Sequence, residues 1–337
     1  MDAVVLLNKL VEKIDLTAEE AQRFLVAVMK GEVDPPMIAA ILTALRMKGE
    51  SAQEIVGFIK AMRANMLTVR VKDAVDVCGT GGDGAGTLNI STAAAFVIAG
   101  AGVGVAKHGN RAASSQVGGA DVLEELGVNI QLNPQQAEQV FNNVGMVFLF
   151  APLFHPATKQ VVQVRKQLKI RTVFNFLGPF VNPASTKRQL IGVPNQEIAA
   201  TLAAVAKTLA YNHLLIVTSE DGLDEVSISS NTVALEIKND SVKKIIINPE
   251  DYGIKKVSQK EILGGSLGQN AAFMREILEG KKGPKRDIVA LNSACGLYIA
   301  GAVTSIQEGI KLAEHSIDTG AAKSVLEKLV TETQKYA

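Results

Sequence analysis

The run Val75-Asp76-Val77-Cys78-Gly79-Thr80-Gly81-Gly82-Asp83-Gly84, followed by Asn89-Ile90-Ser91-Thr92, decides how this chain of 337 residues is read. A short β-branched strand over Val75–Cys78 enters a turn crowded with glycine, and an alanine-rich helix then opens near Thr92. Ligands of open α/β sheets collect where strands end in this way. Residues without a Cβ let the backbone approach an anion, and the start of the helix adds free N–H groups and the positive end of its dipole. Ser91 and Thr92 add hydroxyls. The plainer alternative is a glycine turn that only joins strand to helix. Gly79-x-Gly81-x-x-Gly84 also has the letters of a dinucleotide fingerprint, but the next strand runs into Lys107 instead of an acidic ribose anchor. A Walker loop is excluded because no Gly-Lys-Ser/Thr follows.

Outward from this loop the texture differs on the two sides. Residues 1 to about 66 read as helices, with apolar faces at Leu6, Leu10, Val11 and Ile14, at Phe24, Leu25 and Val28, and at Ile38, Ile41, Leu42 and Leu45. Thr17-x-x-Glu20 and Ser51-x-x-Glu54 are capping boxes, Pro35-Pro36 begins the helix between them and Gly49 ends it. After Lys72, β-branched runs alternate with helices, the signature of a parallel sheet. Strands are expected at Val75–Cys78, Val103–Ala106, Met146–Phe150 and Leu214–Thr218. Helices are expected at Thr92–Ala101, Ser114–Leu126, Pro134–Asn143, Gln196–Leu209, and around Gln259–Leu278 and Arg286–Asp318. Val226-Ser227-Ile228, Thr232–Ile237 and Lys243–Ile247, parted by polar turns, predict a small antiparallel excursion. The basic segment from Pro156 to Pro183 is expected to return to the helical region.

Bulk properties narrow the function classes. Hydrophobic residues make up 47% and the formal net charge is +1, so the chain should fold around a large core and present no global field for nucleic acid. Aromatic residues at 4% leave no base-stacking platform. The longest apolar stretches, Ala93–Ala106 and Ile288–Ile306, are interrupted by glycines or by Asn292, Ser293 and Ser305, so no membrane span is expected. Cys78 and Cys295 show neither metal-ligand nor redox spacing, and the start lacks a signal peptide, which fits a reducing cytoplasm.

Three further clusters carry chemistry. Lys107-His108-Gly109-Asn110-Arg111-Ala112-Ala113-Ser114-Ser115 puts cations, amide or imidazole donors and hydroxyls at a strand end, a set suited to phosphate and carboxylate. In the helix after His155-Pro156, Val161, Val164 and Leu168 share one face, and Arg165 is the residue best placed to reach inward to a carboxylate; the lysines around it suit a solvated face as well. Asp221-Gly222-Leu223-Asp224-Glu225 follows a strand and offers paired carboxylates for a hard cation, although acidic pairs are more often solvated loop residues.

In chain order the motifs KGESAQEI, GTGGDGxxTxNIST, KHGNRAxSS, ADVLExLG, HPAxxxVxxVRxxL, RTxFNxLGPxxNPA and DGLDE together resemble the anthranilate phosphoribosyltransferase family over nearly the whole chain. The resemblance implies α/β architecture of the type IV phosphoribosyltransferase (nucleoside phosphorylase-like) kind. A small all-α domain, residues 1–71 completed by about 157–183, would stand beside a large α/β domain, 72–156 and 184–337, with a mostly parallel sheet. It implies transfer of a phosphoribosyl group from 5-phosphoribosyl-1-diphosphate (PRPP) to anthranilate, and a homodimer formed through the helical domains. PRPP would contact Gly79, Gly82, Asp83, Thr87, Asn89, Ser91, Thr92, Lys107, Ser115 and Gly119. Anthranilate would meet Gly79, His108, Asn110, Arg165 and Gly178. Mg²⁺, two ions with one arriving on PRPP, would be held by Ser91, Asp224 and Glu225. No dedicated acid or base is expected, and Lys107 would stabilise charge electrostatically. Gly119 stands where the family commonly has serine, Thr218-Ser219 replaces His-Gly, Leu88 a frequent Phe and Lys169 a frequent Gly. Two other readings share parts of the pattern: a pyrimidine nucleoside phosphorylase, and an inactive nucleic-acid-binding relative.

Overall fold

The helical third is built from its caps. In the computed structural model, which describes residues 2–112, 117–239 and 241–337, Thr17 and Ser51 accept from the N–H three residues on, and Glu20 and Glu54 return the bond. These boxes open α2 (Ala18–Met29) and α4 (Ala52–Ala64), while Asp2 caps α1 (Ala3–Val11) and Pro35-Pro36 starts α3 (Pro35–Lys48). Their inner faces bury Leu6, Leu10, Phe24, Leu25, Ile38, Ile41 and Phe58 in one core. Val11 and Ile14, expected on that face, are 69% and 48% exposed. The helix ends at Val11 and Lys13 takes a left-handed backbone, so helical periodicity does not carry to Ile14.

Residues of the segment 156–183 pack against this bundle. In α9 (Lys159–Leu168), Val161 and Val164 join the helical core, and Phe174 of α10 (Phe174–Leu177) stands edge-on to Phe58, ring centres 5.8 Å apart. Arg63 Nε donates to the Phe180 carbonyl at 2.8 Å and ties the segment down further.

The sheet runs β1 (Asp76–Gly79), β4 (Arg188–Gly192), β5 (His213–Ser219), β6 (Thr232–Lys238), β7 (Ser241–Ile247), with β2 (Val105–Gly109) and β3 (Met146–Phe150) as a second, parallel pair. Val75 joins the two: it donates to Gly104 O and accepts from Ala106 N–H. Pairings β1–β4 and β4–β5 are parallel, whereas β5–β6 and β6–β7 form the expected antiparallel excursion. Side chains alternate across β5. Leu215 and Val217 face the larger core with α5 (Ile90–Gly100) and α13 (Pro284–Ala300), and Leu214 and Ile216 join the helical core through α11 (Gln196–Lys207).

Several expectations are corrected. The second strand begins two residues late, because Val103 N–H still bonds Ile98 O at the tail of α5, so Lys107 and His108 lie inside β2. Strand β4 was not expected, since its polar opening hides it. Val226–Ile228 forms no strand. The helix expected from Ser114 is α6 (Gly119–Glu125), and residues 113–116 lie outside those described. Following α7 (Pro134–Val144), β3 and α8 (Ala151–Phe154), the carboxyl-terminal third holds two 3₁₀ turns (Pro249–Tyr252 and Gln259–Ile262), α12 (Leu267–Leu278), α13, α14 (Ile306–Asp318) and an unexpected α15 (Ala321–Gln334). Ser266 and Ser305, each accepting from the N–H three residues on, divide those runs.

Candidate active site

Strands β1, β2 and β5 deliver their carboxyl ends to one cleft of about 380 Å³. Gly79, Gly82, Asp83, Thr87, Asn89, Ser91, Thr92, Lys107, His108, Asn110, Gly119, Arg165, Gly178, Asp224 and Glu225 all line it, so residues expected at the site from far-apart segments do converge. Ser115 lies outside the described residues.

The glycine loop and the acidic pair are fitted to each other. Gly81 N–H donates to Asp224 Oδ2 at 2.6 Å, and a Cβ on Gly79 would stand 2.5 Å from that oxygen, so only glycine admits the approach. Ser219, which replaces the family's usual glycine, fastens the acidic turn: its hydroxyl donates to Glu225 O at 2.6 Å and meets Thr232 Oγ1 at 2.8 Å. The far side of the glycine loop is held by a bridge from Thr87 to Leu263, and Asn270 Oδ1 accepts from Asn89 N–H at 3.2 Å.

Charge in the cleft is crowded. Burial, then the charges of Glu225 and Asp83, push the Asp224 carboxyl well above the ordinary range. Burial pushes Glu225 up to about 7, against the lowering effects of Lys107 and of hydrogen bonds from Ser91. Lys107 is buried, and its Nζ donates to Val77 O at 2.6 Å and Ser91 Oγ at 3.1 Å. Among the described residues no three His, Cys, Asp or Glu side chains converge as a self-sufficient metal centre. Two crowded carboxylates and a serine hydroxyl are instead a partial, all-oxygen set, which fits Mg²⁺ completed by substrate phosphate and water.

The opposite wall is apolar and cationic. Arg165, its guanidinium 5.5 Å from the centre of the Phe174 ring, has its pKa lowered by burial and meets no carboxylate among the described residues. His108 Nδ1 lies 3.1 Å from Gly178 O, which assigns the proton to Nδ1 and leaves Nε2 buried as an unmet acceptor. Burial, with His155 next, holds the His108 ring down to about 3, so it stays neutral. His155, 5.2 Å away ring to ring, also keeps Nε2 unmet and was not singled out in the sequence. Arg111, by contrast, is drawn onto α6 by Asp121 and Glu124.

A buried polar hub lies behind the cleft. Asp76 Oδ2 accepts from Asn182 Nδ2 at 2.8 Å and Gln189 Nε2 at 3.2 Å, while Gln189 also reaches Pro179 O and Asn182 reaches Ala106 O. Strands β1, β2 and β4 are thereby tied to the segment carrying Gly178. Asp76, Gln189 and Asn270 were missed because each is an ordinary polar residue until its distant partner is known.

Comparison with known proteins agrees with this arrangement. The description "Glycosyl transferase family, helical bundle domain" matches residues 4–66, and "Glycosyl transferase family, a/b domain" matches residues 71–323. The chain is 48% identical over 329 residues to an anthranilate phosphoribosyltransferase of Thermomicrobium roseum, covering 96% of this chain and 94% of that one. It is 45% identical over 324 residues to that of Rubrobacter xylanophilus, covering 96% and 95%. The crystal structure of anthranilate phosphoribosyltransferase from Thermus thermophilus superposes with a TM-score of 0.92 at 40% identity, covering 99% of this chain and all 100% of the other. The Saccharomyces cerevisiae enzyme in complex with PRPP and Mg does so at 0.91 and 28% identity, covering 99% and 98%. The chain belongs to the anthranilate phosphoribosyltransferase family.

Proposed function

We propose that this chain transfers the phosphoribosyl group of PRPP to the amino group of anthranilate, releasing diphosphate and forming N-(5-phosphoribosyl)anthranilate for tryptophan biosynthesis. One observation carries the reading: a single cleft joins a glycine loop with crowded carboxylates to a half-buried arginine that has no acidic partner among the described residues. The first half suits a diphosphate with its cation. The second suits an aromatic carboxylate, since Phe174 offers a ring face and Arg165 a fork for two oxygens. Related yeast structures are described in complex with PRPP and Mg and with 4-fluoroanthranilate.

Substitution at the anomeric carbon develops positive charge on the ribose and negative charge on the departing diphosphate. The N–H groups of Thr80 and Gly81 already bond Gly192 O and Asp224 Oδ2, so those of Gly82–Gly84 would receive the diphosphate, with Gly79, Thr92, Gly119 and Ser115 around it and Thr87 nearby. Lys107 holds the Ser91 hydroxyl in place and offsets part of the carboxylate charge. Mg²⁺ on Asp224, Glu225 and Ser91, two ions in all with one carried by PRPP, would supply Lewis-acid stabilisation of the leaving group. The unmet Asn89 Oδ1 is an acceptor for a ribose hydroxyl. Arg165 and Asn110 orient the acceptor's carboxylate, so the amine is aimed by proximity. His108 Nε2, neutral and unmet, is available to accept an amine hydrogen.

We further read residues 1–71 with 157–183 as the small domain and place the protein in a reducing cytoplasm, consistent with two free cysteines. Val4, Val5, Val11, Ile14 and Met47 are exposed on the helical side, which supports a homodimer through that domain. No helix among the described residues is long and apolar enough to cross a membrane. The test is loss of anthranilate fluorescence on adding PRPP and Mg²⁺, beside phosphorolysis of uridine and thymidine. Anthranilate loss without nucleoside cleavage is expected; the reverse would identify a phosphorylase.

A further inference from the structure

Arg171 stands in the link between α9 and α10, on the segment that returns to the helical bundle, yet its guanidinium reaches the glycine loop of the opposite wall. Nη1 donates to Gly81 O at 3.0 Å and to Gly82 O at 3.2 Å. A Cβ on Gly82 would collide with that nitrogen, so a side chain there would push the guanidinium off the carbonyls. The guanidinium also lies 6.0 Å from the centre of the Phe176 ring, and Nη2 is buried without a partner. The two bonds lie at the exposed mouth of the loop, so the carbonyls and the Phe176 face hold the guanidinium there.

The peptide geometry gives the contact its meaning. The described chain has no cis peptide bonds, and across a trans peptide the C=O of one residue points opposite to the N–H of the next. Bonding the carbonyls of Gly81 and Gly82 therefore turns the N–H groups of Gly82 and Asp83 away from Arg171 as neighbouring donors. Gly81 and Gly82 both have left-handed backbone, φ +71° and +83°, and successive N–H groups in such turns form anion-binding concavities. Among the described residues no other donor bonds the Gly81 or Gly82 carbonyl, so the guanidinium is what holds these peptides on that side.

We propose that Arg171 is a positioning residue that presets the diphosphate loop by gripping its carbonyls from the returning segment. This rests on the reading of the loop as the diphosphate site. Binding of inorganic diphosphate with Mg²⁺ is measured by calorimetry for wild type, R171A, R171Q and R171K, with thermal midpoints for each. R171A and R171Q should bind at least about tenfold more weakly, about 1.4 kcal/mol, and R171K, which keeps the charge but loses the fork, should recover only part. In steady state the KM for PRPP should rise while that for anthranilate stays within about twofold, a split that general loosening of the fold does not produce. Unchanged or tighter binding in R171A and R171Q would overturn the proposal. Full recovery in R171K would reduce the residue to a source of positive field and also overturn it. Wild type that binds no diphosphate would overturn the loop's assignment itself, an outcome distinct from an indifferent variant.

Discussion

Arg165 and Arg171 share one returning segment and stack on Phe174 and Phe176, yet one faces open cleft and the other backbone carbonyls. A charged hydrogen bond contributes about 1.5–3 kcal/mol, so Arg165→Ala should raise the KM for anthranilate about ten- to a hundredfold and leave that for PRPP nearly unchanged. Initial rates at varied anthranilate check this; an unchanged constant would remove Arg165 from the acceptor site. His108 has a pH signature. Its ring falls from the usual 6.5 to about 3 on folding, so between those values the unfolded chain holds a proton that the native chain does not. Stability therefore drops as pH falls through that window, by about 1.4 kcal/mol per pH unit. In H108Q, urea midpoints from pH 6.5 down to 4.5 should show a shallower decline than in wild type, and equal slopes would show a protonated native ring. Residue-scale legibility followed chemistry concentrated in sequence. Gly79, Asp224 and Glu225 announced themselves within short motifs, whereas His155 and Arg171 acquire roles only by proximity to His108 and Gly81.

At the scale of elements, caps were the most legible feature because their partners lie three residues apart. Both Ser/Thr-x-x-Glu boxes form as read. Strands were less so. Gln189 makes β4 look polar, and its burial makes sense only once the Asp76 carboxylate receives it. Lys107 and His108 likewise read as a loop, although Val77 O takes the ammonium and Gly178 O one nitrogen of the ring inside or beside the sheet. One departure from the family pattern has an energetic consequence. Lys169 caps α9 with φ +53°, a left-handed conformation that favours glycine. Its side chain is exposed, so Lys169→Gly should stabilise the protein by about 1 kcal/mol and raise the thermal midpoint by about 1–3 °C. Calorimetry checks this, and a lower midpoint would mean that the lysine stem contributes packing.

At the scale of the molecule, two cores share one sheet, with β5 contributing alternate side chains to each. The alternation of helical and βα texture gave the two parts away in sequence; the sharing of β4 and β5 between cores did not, because it depends on strand order. Val11, misassigned to the inner face of α1, instead belongs with Val4 on an uncovered flank. If the helical domains pair there, wild type should sediment at twice the 35.7 kDa chain mass, and V11D combined with V4D should sediment as a single chain. Wild type at single-chain mass would exclude the dimer at the concentration tested. The central claim is that one cleft couples departure of diphosphate to attack by anthranilate. It is tested most directly by following anthranilate fluorescence and diphosphate release together in one PRPP and Mg²⁺ reaction. Equimolar loss and release, with almost no diphosphate formed when anthranilate is omitted, is the expected result; diphosphate released without anthranilate consumed, or neither change with folded protein, would contradict it.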